Sequence, residues 1–71
     1  MLNNLKQFLF LMEPIIQKLQ DEIRLLQQEK AEREAALPAH SIRPHQLLII
    51  EELEEEIQRK EEELKSLLPG P

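Results

Sequence analysis

Leu2, Leu5, Leu9, Met12, Ile16, Leu19, Ile23 and Leu26 follow one another at spacings of 3, 4, 3, 4, 3, 4 and 3 residues. Such a run occupies the a and d positions of a heptad repeat, and it draws one apolar seam along a helix that must pack against another helix. The spacing continues through Lys30 and Arg33 to Leu37, so the seam turns polar near its end. A second run, Ile50, Leu53, Ile57, Lys60, Leu64 and Leu67, repeats at 3, 4, 3, 4 and 3, with Leu47 and Leu68 widening the stripe. Two amphipathic helices are therefore written into the chain.

The segment Leu37–Pro44 separates them. Pro38 biases Leu37 away from helical geometry, and Pro44 suits the first turn of a new helix. Ser41 is the expected N-cap of that helix, and Asn3 or Asn4 can cap the first. Pro14 lacks an N–H and crowds the carbonyl of Phe10, at a cost of about 3 kcal/mol inside a helix. The heptad phase runs through it unbroken, which favours one kinked helix. The alternative is a short helix ending at Met12, with Pro14 opening its successor. The expected layout is a first helix over about 3–36, a hinge at 37–43 and a second helix over about 44–68, closed by Leu68-Pro69-Gly70-Pro71.

A short connection returns the second helix antiparallel to the first. Folding at residue 40 pairs Leu26 with Leu53, Ile23 with Ile57, Leu19 with Lys60, Ile16 with Leu64 and Met12 with Leu67. On that pairing residues 12–68 close on themselves. Residues 1–11, which include Leu2, Leu5, Phe8, Leu9, Phe10 and Leu11, have no counterpart beyond Pro69. Ile15, Leu25, Leu48 and Ile49 also fall outside the stripes. Apolar surface left over on this scale marks an interface, and the simplest way to cover it is a dimer of hairpins forming a four-helix bundle. The interface residues expected from the seam and the arm are Leu2, Leu5, Phe8, Leu9, Phe10, Met12, Ile16, Leu19, Ile23, Leu26, Ile50, Leu53, Ile57, Leu64 and Leu67.

Composition narrows the function. The 71 residues include no cysteine, which excludes disulfides and Cys-ligated metal centres, and a single glycine, which excludes a Gly-rich phosphate loop. Nine basic against fourteen acidic side chains give a net charge of −5, opposite to the basic stripe that nucleic acid requires. Two phenylalanines are the only aromatic residues, too few for base stacking. Eight glutamates between Glu51 and Glu63 form a solvated helix face or an acidic docking surface. The apolar run at residues 8–12 is far shorter than the 20 or so residues of a membrane span. With no basic n-region or small-residue cleavage site, the expected location is the cytoplasm.

His40, Arg43 and His45 surround the hinge. Imidazoles bind transition metals, and an arginine beside a helix N-terminus can hold an anion. His40 and His45 are therefore the metal-ligand candidates. As purely structural residues, one histidine caps the carbonyls of the first helix and the other sits in the first turn of the second. Neither a Glu-x-x-His pair nor a His-Glu-x-x-His motif is present, and Ser41 has neither an orienting acid nor an oxyanion hole. Glu51–Glu56 fan around a helix instead of converging on a cation. Lys60, opposite Leu19, lies within reach of Glu22 or Glu56 and can set the register of the seam.

The acidic hairpin with Ile50-Glu51-Glu52-Leu53-Glu54 on its second helix resembles the small sporulation-phosphorelay aspartyl phosphatases of Gram-positive bacteria. Those proteins are two antiparallel helices with a Ser-Gln-x-Leu-Asp signature on the second. Only the leucine of that signature is present here, as Leu53, so the resemblance implies the architecture and not the activity.

The sequence thus points to an all-α antiparallel two-helix hairpin, coiled-coil-like, dimerising into a four-helix bundle. It reads as a non-catalytic interaction protein without a cofactor, which self-associates or docks on a larger protein. The alternative is a small regulatory or accessory subunit whose hinge, through His40, Arg43 and His45, binds a metal ion or an anionic, phosphorylated partner.

Overall fold

The computed structural model describes residues 2–68, with side chains from Gln7 onward except that of Leu9. Two helices, α1 (Leu2–Ala35) and α2 (Pro44–Leu67), lie against each other as an antiparallel hairpin. The molecule is a rod of 61 × 16 × 16 Å. Its radius of gyration is 17.2 Å, against about 11 Å for a compact domain of this length.

α1 passes through Pro14 as one helix of 34 residues. Asn3 and Asn4, expected as caps, lie inside it. At its C-terminal end the N–H groups of Ala36 and Leu37 donate to the carbonyls of Glu32 and Glu34. Two of the four orphan carbonyls of the helix end are thus met by the turn's own backbone, a part assigned from sequence to a hinge histidine.

The cap of α2 also differs from expectation. Ser41 adopts φ 62°, a left-handed conformation uncommon for a residue with a side chain. The N-cap is Arg43, with extended backbone and Pro44 following it. Its N–H donates to Gln46 Oε1 at 3.0 Å, and the Gln46 N–H donates to the Arg43 carbonyl at 3.0 Å. A guanidinium has no acceptor atom, so Arg43 can make only the backbone half of a capping box, with Gln46 making the other. Proline at the first helical position sets the helical φ and has no N–H for a serine hydroxyl to receive.

The core is small. Among the described residues Leu19, Ile23, Ile50, Leu53 and Ile57 are the buried apolar residues, with Met12, Ile16, Leu26, Leu37, Ile49, Leu64 and Leu67 half-buried. All but Ile49 lie on the two heptad seams. The register, however, is shifted from the sequence pairing. Lys60 Nζ lies 2.6 Å from Glu22 and Lys30 Nζ 3.1 Å from Glu54, and one groove brings Arg33, Ala36 and Leu37 beside Gln46 and Ile49. The two helices are therefore staggered by roughly three residues, placing Leu26 level with Ile57, Leu19 with Leu64 and Ile16 with Leu67. Side chains on each helix lean toward that helix's own N-terminus, so in an antiparallel pair a positions interleave with d positions. Pairing a with a, as the fold-back at residue 40 does, ignores that lean. The stagger also lengthens the part of α1 with no helix beside it, from residues 1–11 to residues 2–15.

Candidate interaction surface

Beyond the level of Leu67, α1 continues for about four turns with no helix beside it among the described residues, a length of roughly 20 Å. Several large apolar side chains stand exposed there. Phe8 is 57% exposed, Phe10 73%, Leu11 69% and Ile15 48%. Leu2, Leu5 and Leu9 continue the seam along the same arm, and their side chains lie outside the described set. Phe10, Leu11, Pro14 and Ile16 line an open groove at the root of the arm. Pro14 sits close to the level where α2 stops. There the missing N–H leaves the Phe10 carbonyl without its usual helical donor.

Among the residues proposed from sequence as an interface, two groups separate. Leu19, Ile23, Ile50, Leu53 and Ile57 are buried between α1 and α2, Ile16, Leu26, Leu64 and Leu67 edge that core, and Met12 is half-buried on the arm. Phe8 and Phe10 stand free. Leu11, Ile15 and Leu25, which the seam leaves out, are equally open, Leu25 at 62%. A signal for them exists in the sequence. Phe8, Leu11, Ile15, Lys18, Glu22 and Leu25 are spaced 3, 4, 3, 4 and 3, which draws a second stripe along α1 about a third of a turn round from the first. Looking only for the strongest seam hides it, because two of its six members are charged.

The other exposed apolar residues gather at the opposite end of the rod. Ile42, Leu47 and Leu48 lie at or beside the hinge, and Pro44, His45, Leu47, Leu48 and Glu51 line an open groove there. Leu68 is exposed beside the root of the arm.

Ion pairs lace the flanks of the core. Lys60 bridges to Glu22, Lys30 to both Glu54 and Glu34, and the Gln27 amide donates to Glu61 at 3.5 Å. The hydrogen bond from Lys60 holds the Glu22 carboxyl below its ordinary range, with Lys18 adding a smaller attraction. Lys60 is raised chiefly by the same bond, and Lys30 chiefly by its bond to Glu54. These contacts join the helices at two levels, so a slip of one residue would break them together. Lys60 thus pairs with Glu22, one of the two carboxylates within its expected reach.

His40, Arg43 and His45 are all exposed, and among the described residues no group of three His, Asp or Glu side chains could hold a metal ion. No helix among the described residues is long and apolar enough to cross a membrane.

Fold and surface together define a two-helix antiparallel hairpin whose longer helix carries an uncovered apolar arm. No protein-family model, curated protein or solved structure matches the chain.

Proposed function

We propose that the chain is a non-catalytic interaction protein of the cytoplasm that associates with a second copy of itself, or docks on a larger protein, through the arm and stripe of α1. One observation carries this: the largest exposed apolar side chains lie on a helix that has lost its partner. In water such a surface costs about 25 cal/mol for each Å² of apolar area left uncovered. Total exposed area supports the same view. The chain exposes 6171 Å², against about 4,600 Å² for a compact protein of 8.4 kDa. A standard protein–protein interface buries about 600–1,000 Å² on each partner, so the excess of about 1,600 Å² on this chain is more than one such interface covers.

A catalytic role has little support, since the grooves near the arm and hinge are open to water. Phe8→Glu together with Phe10→Glu tests the proposal. Both residues are exposed in the hairpin, so its helical content should be unchanged by circular dichroism. Self-association read by size-exclusion chromatography with light scattering should weaken about thirtyfold or more, as for the loss of a hot-spot aromatic. Unchanged association would remove the arm from the interface.

A further inference from the structure

Resting on the self-association just proposed, we infer that the partner of α1 is a second copy lying antiparallel to it. The two α1 helices meet along Ile15, Lys18, Glu22 and Leu25, the part of the stripe nearest the hinge. Ile15 then lies level with Leu25 of the partner subunit, and Lys18 with the partner subunit's Glu22.

Charge sets the sense. The half of the hairpin near the hinge, residues 27–35 with 48–56, holds eight acidic and two basic side chains, net −6. The remaining half, residues 16–26 with 57–67, is neutral at five of each, and the arm is neutral with Lys6 and Glu13. Arg43 brings the chain to its total of −5. A parallel dimer would set two −6 halves side by side, and it would place Lys18 on Lys18 and Glu22 on Glu22. An antiparallel dimer separates the acidic halves by more than the Debye length of about 8 Å at physiological salt. It also brings each neutral arm toward the partner's hinge end, where Ile42, Leu47 and Leu48 are exposed.

The stripe sets the register. Antiparallel registers that keep its 3 and 4 spacing differ by seven residues. With Ile15 level with Leu25, the four central layers match apolar to apolar twice and lysine to glutamate twice, while Leu11 and Phe8 lie level with the partner subunit's Glu29 and the partner subunit's Glu32. Moving one heptad toward the arms keeps two apolar layers, Phe8 on Leu25, but replaces both lysine–glutamate layers by Leu11 on Glu22 and Ile15 on Lys18. Glu22 can serve both copies, because its Oε2 receives Lys60 while its second oxygen is available to another donor. Lys18 has no ion-pair partner within 4 Å among the described residues.

Because the chain has no cysteine, introduced thiols report without background. Ile15→Cys and Leu25→Cys change exposed positions and leave the buried core intact. Mixed in equal amounts under mild oxidation, the two variants should give a disulfide-linked heterodimer. Each variant alone should cross-link at least tenfold more slowly, because ten helical residues separate the levels by about 15 Å. Faster cross-linking of Ile15→Cys with itself would show a parallel pair, and no cross-linking in a sample that sediments as a dimer would show another surface. Either result overturns the inference while leaving self-association standing. A monomer by sedimentation equilibrium would overturn both. Lys18→Glu should raise the dimer dissociation constant about tenfold, whereas the same charge change at Lys65 should alter it less than about threefold. Equal effects from the two would show that net charge alone acts, and would refute the Lys18–Glu22 pairing.

Discussion

The two stretches of α1 make an instructive pair. From Ile16 to Ala35 it lies against α2, and from Leu2 to Ile15 it does not, yet the seam spacing is the same in both. In the first stretch the faces away from α2 are dominated by polar residues such as Gln17, Lys18, Gln20, Asp21 and Arg24. In the second, Phe8, Phe10 and Leu11 spread apolar surface over several sides of the helix. A helix that is apolar on one face needs one neighbour, and a helix that is apolar on several needs more. The arm therefore presents apolar surface on more sides than the body, although the hairpin covers less of it.

Three perturbations probe this contrast, in descending order of effect. Leu53→Ala empties part of a five-residue core and should cost about 2–5 kcal/mol, comparable with the whole stability of a domain this small. Thermal melts by circular dichroism should show the body largely unfolded at 25 °C. A melt within a few degrees of the parent would mean that the body is held by something other than its seam.

Pro14→Ala acts at the junction. Restoring the missing donor should stabilise helix locally by up to about 3 kcal/mol. Hydrogen exchange should then slow at the arm amides while those around Leu19 and Ile23 keep their rates. Equal slowing in both stretches would mean that arm and body already behave as one cooperative unit.

The smallest effect is in the pH profile. Glu22 is held low by Lys60, so its contribution is present above its ordinary value of 4.5 and is lost as pH falls through the depressed one. Lys60 and Lys30 are raised, so theirs is present below 10.5 and is lost as pH rises through the raised values. Glu22→Gln should therefore lower the melting temperature near neutral pH by a few degrees at most, and the difference from the parent should shrink below pH 4.5. A constant difference down to the lowest pH would show that Glu22 acts through its shape and not its charge.

The hairpin was legible because heptad spacing is a strong periodic signal and Pro38 and Pro44 mark the break. The register was not, because counting back from the hinge pairs a with a and omits the lean of side chains along each helix. The α2 cap was missed for a related reason. Ser41 has the right chemistry, but Pro44 fixes the helix start three residues later, and Arg43 caps it through its backbone alone. Of the candidate interaction surface, Phe8, Phe10, Leu11, Ile15 and Leu25 were visible as leftover residues, but not as one pattern. Leu11, Ile15 and Leu25 form a stripe only when Lys18 and Glu22 are admitted as members. The level of the arm's root depends on the stagger, which no local pattern encodes.

If a second chain covers what α2 leaves bare, sedimentation equilibrium of the unaltered protein across micromolar concentrations shows it. A reversible monomer–dimer equilibrium approaching twice 8.4 kDa is expected. A single 8.4 kDa species at every concentration would contradict it.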